Sequence, residues 1–167
     1  MRRTSNITAV AVAFASLMAH MPAVAETGRE KSEEVVFTGW LRVEDRNVDD
    51  LVLVVEVADH CLYAEVLPSG RFIVAVPVGS QARLAFIKPG HLTKEIDLDT
   101  RNSMPNQKAA RANRNVKFDV VLEAESKRPG RSYDGPVGTL GFHKGTGTTK
   151  VRHTLNVVAA DHVRKAP

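Results

Sequence analysis

From Val35 onward the chain alternates apolar and polar residues with period two, in short runs separated by Gly, Pro, Asp and Asn. This is the pattern of strands that bury one face. Val35–Val43 sets Val35, Phe37, Leu41 and Val43 on one face, with Gly39 between them. Leu51–Ala58 does the same with Leu51, Leu53, Val55 and Val57. Val52 and Val54 are apolar as well, which predicts cover on both faces near the start of that strand. Cys61–Val66, Arg71–Val78, Ala82–Lys88, Leu92–Asp99 and Val116–Ala124 complete the series. In Arg71–Val78 the inward set is Phe72, Val74, Val76 and Val78; in Val116–Ala124 it is Val116, Phe118, Val120, Leu122 and Ala124. Strands this short, this closely spaced and this regular predict an all-β fold, an antiparallel β-sandwich of about seven strands.

Two stretches interrupt the rhythm. Thr100–Asn115 carries four bases, Arg101, Lys108, Arg111 and Arg114, and no acid. It reads as a mobile connection, with a helical turn or two over Gln107–Ala112 after Pro105. Those four bases are the candidate contact for an acidic partner. The second stretch, Glu125–Gly147, holds a loop and a glycine-rich run with one short apolar segment, Val137–Phe142. That segment predicts an edge strand, with Lys150–Val158 as its hairpin partner.

The first residues follow a different rule. Arg2 and Arg3 precede the uncharged run Ile7–Ala19, Pro22 ends it, and Ala23-Val24-Ala25 supplies small residues at a cleavage site. This is the layout of a secretory signal peptide cut after Ala25, and the run is too short to span a bilayer. The expected organisation is a signal peptide (1–25), a flexible lead (26–34), a sandwich (35–124) and a C-terminal extension with a hairpin (125–167). The expected location is the periplasm or the exterior, with no membrane span after cleavage. One cysteine, Cys61, rules out an internal disulfide, and its place in an alternating run predicts a small buried or half-buried apolar side chain, with a reactive or intermolecular thiol as the alternative.

Charge is uneven along the chain. Residues 26–65 hold 11 acids and 4 bases, whereas 66–167 hold 8 acids and 17 bases. Such asymmetry fits an interaction face. Nucleic acid is not an expected partner for an exported chain with one Trp and two Tyr, which lacks stacking platforms.

Candidate chemistry is sparse. Five histidines follow the cleavage point, none with the spacing of a zinc or metalloprotease motif. An alternative reading builds a metal or small-molecule site, hydrolytic in one version, from His143 and His153 in the C-terminal hairpin. The run GTLGFHKGTGTTK lacks the spacing of a phosphate loop, and turn glycines account for it. No catalytic signature stands out and no cofactor is expected, so the reading leans away from an enzyme.

The segment LPSGRFIVAVPVGSQARLAFIKPGHLTKEIDLDT resembles the core of transthyretin-like domains, the group that includes carboxypeptidase regulatory-like modules. The resemblance rests on Gly70-Arg71-Phe72, Pro77-Val78-Gly79, Leu84-Ala85-Phe86, Lys88-Pro89-Gly90 and Asp99-Thr100, in that order. Phe37-Thr38-Gly39-Trp40-Leu41 is similar to the first strand of such modules. It implies a transthyretin-like sandwich and an accessory role, in which the protein binds a partner or self-associates through sheet edges. Enzymes of similar fold either end in a Tyr-Arg-Gly-Ser tail or bind iron through paired Tyr and His. Neither pattern is present here.

Overall fold

The structure, a computed structural model, describes residues 33–160. The expected signal peptide (1–25) and nearly all of the expected lead (26–34) lie outside the described residues. Within them the chain forms twelve strands and one short helix. In order these are β1 (Glu34–Arg42), β2 (Val52–Val57), β3 (His60–Ala64), β4 (Arg71–Pro77), β5 (Gln81–Ile87), β6 (Lys94–Asp99), α1 (Gln107–Asn113), β7 (Asn115–Lys117), β8 (Val120–Val121), β9 (Arg131–Tyr133), β10 (Gly138–Phe142), β11 (Thr149–His153) and β12 (Val157–Ala159). No helix among the described residues is long and apolar enough to cross a membrane.

The strands form two sheets that share one core. The narrower sheet runs β4-β1-β7, with β8 also pairing β1; the wider runs β11-β10-β6-β5-β2-β3. β9 and β12 pair with each other. The inward residues are those of the alternating pattern: Val35, Phe37, Phe72, Val74 and Val76 from the narrow sheet, and Leu53, Val55, Leu84, Phe86 and Leu98 from the wide one. Phe72 joins the layers. Its ring meets Phe86 across the sandwich at 5.3 Å and Phe118 at 5.5 Å, both edge-on. Edge-on contact sets the positive rim of one ring against the negative face of another, which adds about 0.5–1.5 kcal/mol per pair beyond area burial.

Gly70 turns the chain into β4 with φ of +81°, and a side chain there would run into the Leu41 carbonyl. Glycine alone meets both demands cheaply. Thr100, fully buried, closes the opposite end of the sandwich. Its hydroxyl accepts from the Ser80 N–H (2.9 Å) and lies 2.6 Å from the Pro77 carbonyl oxygen. The Asp-Thr pair that ends β6 therefore fastens the β4–β5 turn.

Three features differ from the sequence reading. The sheets are mixed rather than antiparallel, because β7 and β8 run parallel to β1 and β10 runs parallel to β6. A long connection carries the chain back before β7, and another stretch intervenes before β10, while β8 follows β7 directly; alternation alone does not encode strand direction. The run Val116–Ala124 is split into β7 and β8, since the Asp119 carboxylate takes the Trp40 N–H (3.3 Å) and the Arg42 guanidinium (2.9 Å) where the ladder would continue. The outer face of β2 is uncovered: Val52 is exposed and Val54 half-buried.

Residues beyond Ala124 return to the main core. Leu140 and Phe142 on β10 are buried with the rest of it, and β11 forms the outer margin of the wide sheet. A smaller cluster, Leu92, Tyr133 and Val137 with Val157, packs beneath the β9–β12 pair.

Candidate functional site

The basic segment is built around α1. Asn106 is extended, and its Oδ1 accepts from the Ala109 N–H (2.9 Å), a cap that starts the helix. Ala109 and Asn113 face inward. Asn113 is buried, and its Nδ2 donates to the carbonyl oxygens of Ser103 and Gly147, both at 2.6 Å. Asn106 Nδ2 reaches the Gly145 carbonyl (3.2 Å). These bonds pin the connection to the β10–β11 loop and correct the expectation of a mobile segment, because the two made by Asn113 are buried and lost to water.

Lys108, Arg111 and Arg114 recur every three residues, which places them on the helix face opposite Ala109 and Asn113. All three are exposed, and none has an acidic partner within ion-pair distance among the described residues. Arg101 stands apart from them. Its guanidinium grips Asp99 through two bonds, 2.9 and 2.6 Å, and holds that carboxyl below the usual aspartate range. The predicted four-residue basic site is thus a three-residue basic face plus one arginine that is already occupied.

The two candidate histidines do not meet. His153 pairs with Gly138, at one end of the β10–β11 hairpin, while His143 sits beyond Phe142 at the other. Five strand residues separate them, about 17 Å at the rise of a β-strand. They cannot share an ion. No group of three or more His, Cys, Asp or Glu side chains with metal-holding geometry occurs among the described residues.

A compact set of charges lies where β6 meets β9. Arg128 Nε donates to Glu123 (2.7 Å), and this bond is the main reason the Glu123 carboxyl sits below its ordinary pKa. Lys94 lies 4.0 Å from the same carboxylate and 5.4 Å from the centre of the Tyr133 ring. Burial lowers the Lys94 pKa, partly offset by Glu123. Burial also raises that of Tyr133, with Glu123 adding to it. Tyr133 Oη is left without a partner of hydrogen-bond geometry. The upward shift rests mainly on burial, with the Glu123 carboxylate adding to it. The set holds no activated nucleophile; it ties β6 to the C-terminal segment.

The margin at β3 is of another kind. β3 pairs β2 in unbroken register from Val57↔His60 to Leu53↔Ala64, and its other side has no partner strand among the described residues. The wide sheet overhangs the narrow one here, so Leu62, which shares the inward face with Val55, is 60% exposed; Tyr63, on the outer face, is 79% exposed. Beside Tyr63 the outer face continues as Val54, Val52, Ala85 and Ile87, an apolar strip crossing three strands. Cys61 lies on the same outer face and is exposed, contrary to the buried position that alternation suggested. Alternation marks which face a residue takes, and at an overhanging margin both faces are wet. Native edge strands are normally blunted by lysine, proline or a bulge. His60-Cys61-Leu62-Tyr63-Ala64 has none of these, whereas β11 carries Lys150 and Arg152 and β4 ends in Pro77.

No family model matches the chain, and no curated protein matches it. Among solved structures, a chain of a type II cohesin–X-dockerin complex from Acetivibrio cellulolyticus, a C-terminal interface mutant, is similar to 54% of this chain and 58% of its own length. It is 12% identical, with a TM-score of 0.36. The match spans less than two thirds of either chain.

Proposed function

We infer that this chain is a non-enzymatic interaction module, exported to the periplasm or beyond, and a member of the transthyretin-like group. The N-terminal layout supports export, and the ordered motifs from Phe37 to Thr100 support the family. The observation that carries the function is the bare margin at β3. It is a straight, unbulged strand with an apolar side chain exposed on each face and no charge to repel a neighbour. Such an edge accepts an added strand: main-chain hydrogen bonds supply affinity, and the flanking side chains supply register. A second copy of the chain serves as such a partner, because antiparallel pairing about Leu62 sets Leu62 against its own counterpart and Tyr63 against Cys61.

Native mass spectrometry of the mature protein, drawn gently from its own extract with and without a chelator, tests this reading. A dimer, or a complex with one other protein, that disappears in the Leu62→Lys variant is the expected result. A monomer in both proteins, carrying a chelator-sensitive metal, overturns it.

The free face of Lys108, Arg111 and Arg114 supports a second contact in the same module, with an acidic partner. It lies at the opposite margin of the fold from β3, since α1 packs on the β10–β11 loop.

A further inference from the structure

The outward face of the narrow sheet carries the one tryptophan of the chain, Trp40, which is 42% exposed. Strand register decides what stands beside it. Its cross-strand partner on β4 is Arg71, so the two side chains leave the sheet on the same side. Arg42, two residues along β1, shares that side. One row back, Ile73 and Lys117 flank Thr38 on the same face. Where β1 ends, this face runs into an open cleft of about 550 Å³, whose lining includes Trp40, Arg42, Arg46, Val48 and Ser69. Arg46 enters from the loop after β1. Its backbone is left-handed, with φ of +57°, a conformation that arginine seldom adopts. The loop holds it there. The Arg46 N–H donates to the Val43 carbonyl (3.1 Å), and the Asn47 and Asp49 N–H groups donate to the side chains of Asp45 (3.1 Å) and Asn47 (2.6 Å).

Once existing pairs are discounted, the charge of this face has one sign. Asp119 is taken by Arg42. Arg46, Arg71 and Lys117 have no acidic partner within ion-pair distance among the described residues. The main chain here is already spent. The Trp40 N–H donates to Asp119, the Leu41 N–H to the Gly70 carbonyl, and the Arg42 carbonyl accepts from Leu122. β1 lies between β4 and the β7–β8 pair, so this site cannot accept an added strand. Recognition therefore falls to side chains: a flat, amphipathic ring, and guanidinium forks that grip carboxylates through two bonds. A ligand that answers both carries an apolar flat face and a carboxylate on one rigid frame. A pyranose uronate has this form, since its axial C–H bonds make the face and its carboxylate projects from the ring edge. An acidic peptide offers carboxylates without the face, and a neutral sugar offers the face without the charge.

We propose that the Trp40 cleft binds an acidic glycan of the uronate class. One pyranose stacks on the Trp40 ring, and Arg46 and Arg71 meet the carboxylates of that sugar and its neighbour. This goes beyond the interaction module inferred above and uses none of the residues of β3.

Trp40 is the only tryptophan in the sequence, so intrinsic fluorescence reports on this cleft alone. The test titrates the mature protein with tetragalacturonate and with a hyaluronan tetrasaccharide, which carries glucuronate. The methyl ester of tetragalacturonate is the uncharged probe, and hexaglutamate is the charged probe without a sugar ring. We expect one acidic tetrasaccharide per chain with a shift in tryptophan emission, and binding of the ester and of hexaglutamate weaker by about tenfold or more. Followed by calorimetry, Trp40→Ala abolishes binding and Trp40→Phe retains part of it. Arg46→Gly with Arg71→Gln weakens binding by about tenfold. This pair is the safer variant for folding, because glycine suits the left-handed backbone at position 46. Leu62→Lys leaves glycan binding unchanged, which separates this proposal from the fate of the β3 reading. Absence of binding by both acidic tetrasaccharides, equal affinity for the ester or for hexaglutamate, or native affinity in Trp40→Ala would each overturn it.

Discussion

Gly39 and Phe72 are cross-strand partners, and the ring of one fills the space the other leaves empty. A side chain at position 39 would place its Cβ 2.6 Å from Phe72 Cζ and closer still to the Phe118 carbonyl oxygen. Gly39→Ala is therefore an overpacking change at the centre of the aromatic cluster. We expect a loss of about 1–3 kcal/mol, read as a lower denaturant midpoint at unchanged slope. Phe72→Leu in the same chain relieves only the ring contact and leaves the tighter clash with the Phe118 main-chain carbonyl, so most of the loss remains. A double variant as stable as Phe72→Leu alone would show that the ring, and not the carbonyl, sets the cost.

Asn113 holds two segments that are far apart in sequence. Asn113→Ala leaves the Ser103 and Gly147 carbonyls buried without their donor, at a cost of about 1–3 kcal/mol. Hydrogen exchange should quicken both in α1 and in residues 143–148. Faster exchange in α1 alone would mean that the helix does not anchor the hairpin loop.

Two carboxyls make stability depend on acid. Asp99, beside Arg101, and Glu123, beside Arg128, have folded-state pKa values below those of the unfolded chain. Their contribution is fully present above the ordinary carboxylate values of about 4. It is lost as pH falls through the folded-state values. The stability gap between the native chain and Arg128→Gln should hold steady near neutrality and close in acid. Both pairs are partly exposed, so the gap is small and shrinks with added salt. A gap that widens on acidification would contradict the assignment.

Arg111→Glu with Arg114→Glu reverses the charge of the free helix face. Both side chains are exposed and unpaired among the described residues, so folding stability stays within about 0.5 kcal/mol per site. Capture of an acidic partner from the native extract should fail. Retention of that partner at unchanged salt dependence would remove the helix face from the function.

Much of the sandwich can be read directly from alternation. Phe72, Val74 and Val76 point inward as their spacing requires, and so do Val35, Phe37, Leu84 and Leu98. What alternation conveys is which face a residue takes, and only that. The choice of partner strand and its direction depend on residues far apart, as with Val36 and Asn115 or Ile96 and Gly138. β9 and β12 carry three residues each, too few to register a period. Cys61 misleads because exposure at an overhang follows from the unequal widths of the two sheets. Gly138 reads as one turn glycine among five, yet it lies within β10, between β6 and β11.

The parallel pairing of β6 with β10 also bears on how the protein is made. β10 arrives 42 residues after the strand it completes, and Leu140 and Phe142 are the last of the main buried set in chain order. A nascent chain emerges from its N-terminal end, so until Phe142 is free the wide sheet stops at β6 and the core lacks one flank. Order is delayed by long-range pairing of this kind. A polypeptide still being synthesised thus remains short of its final fold until the closing hairpin follows, and its main core is completed only by the last of its buried strands.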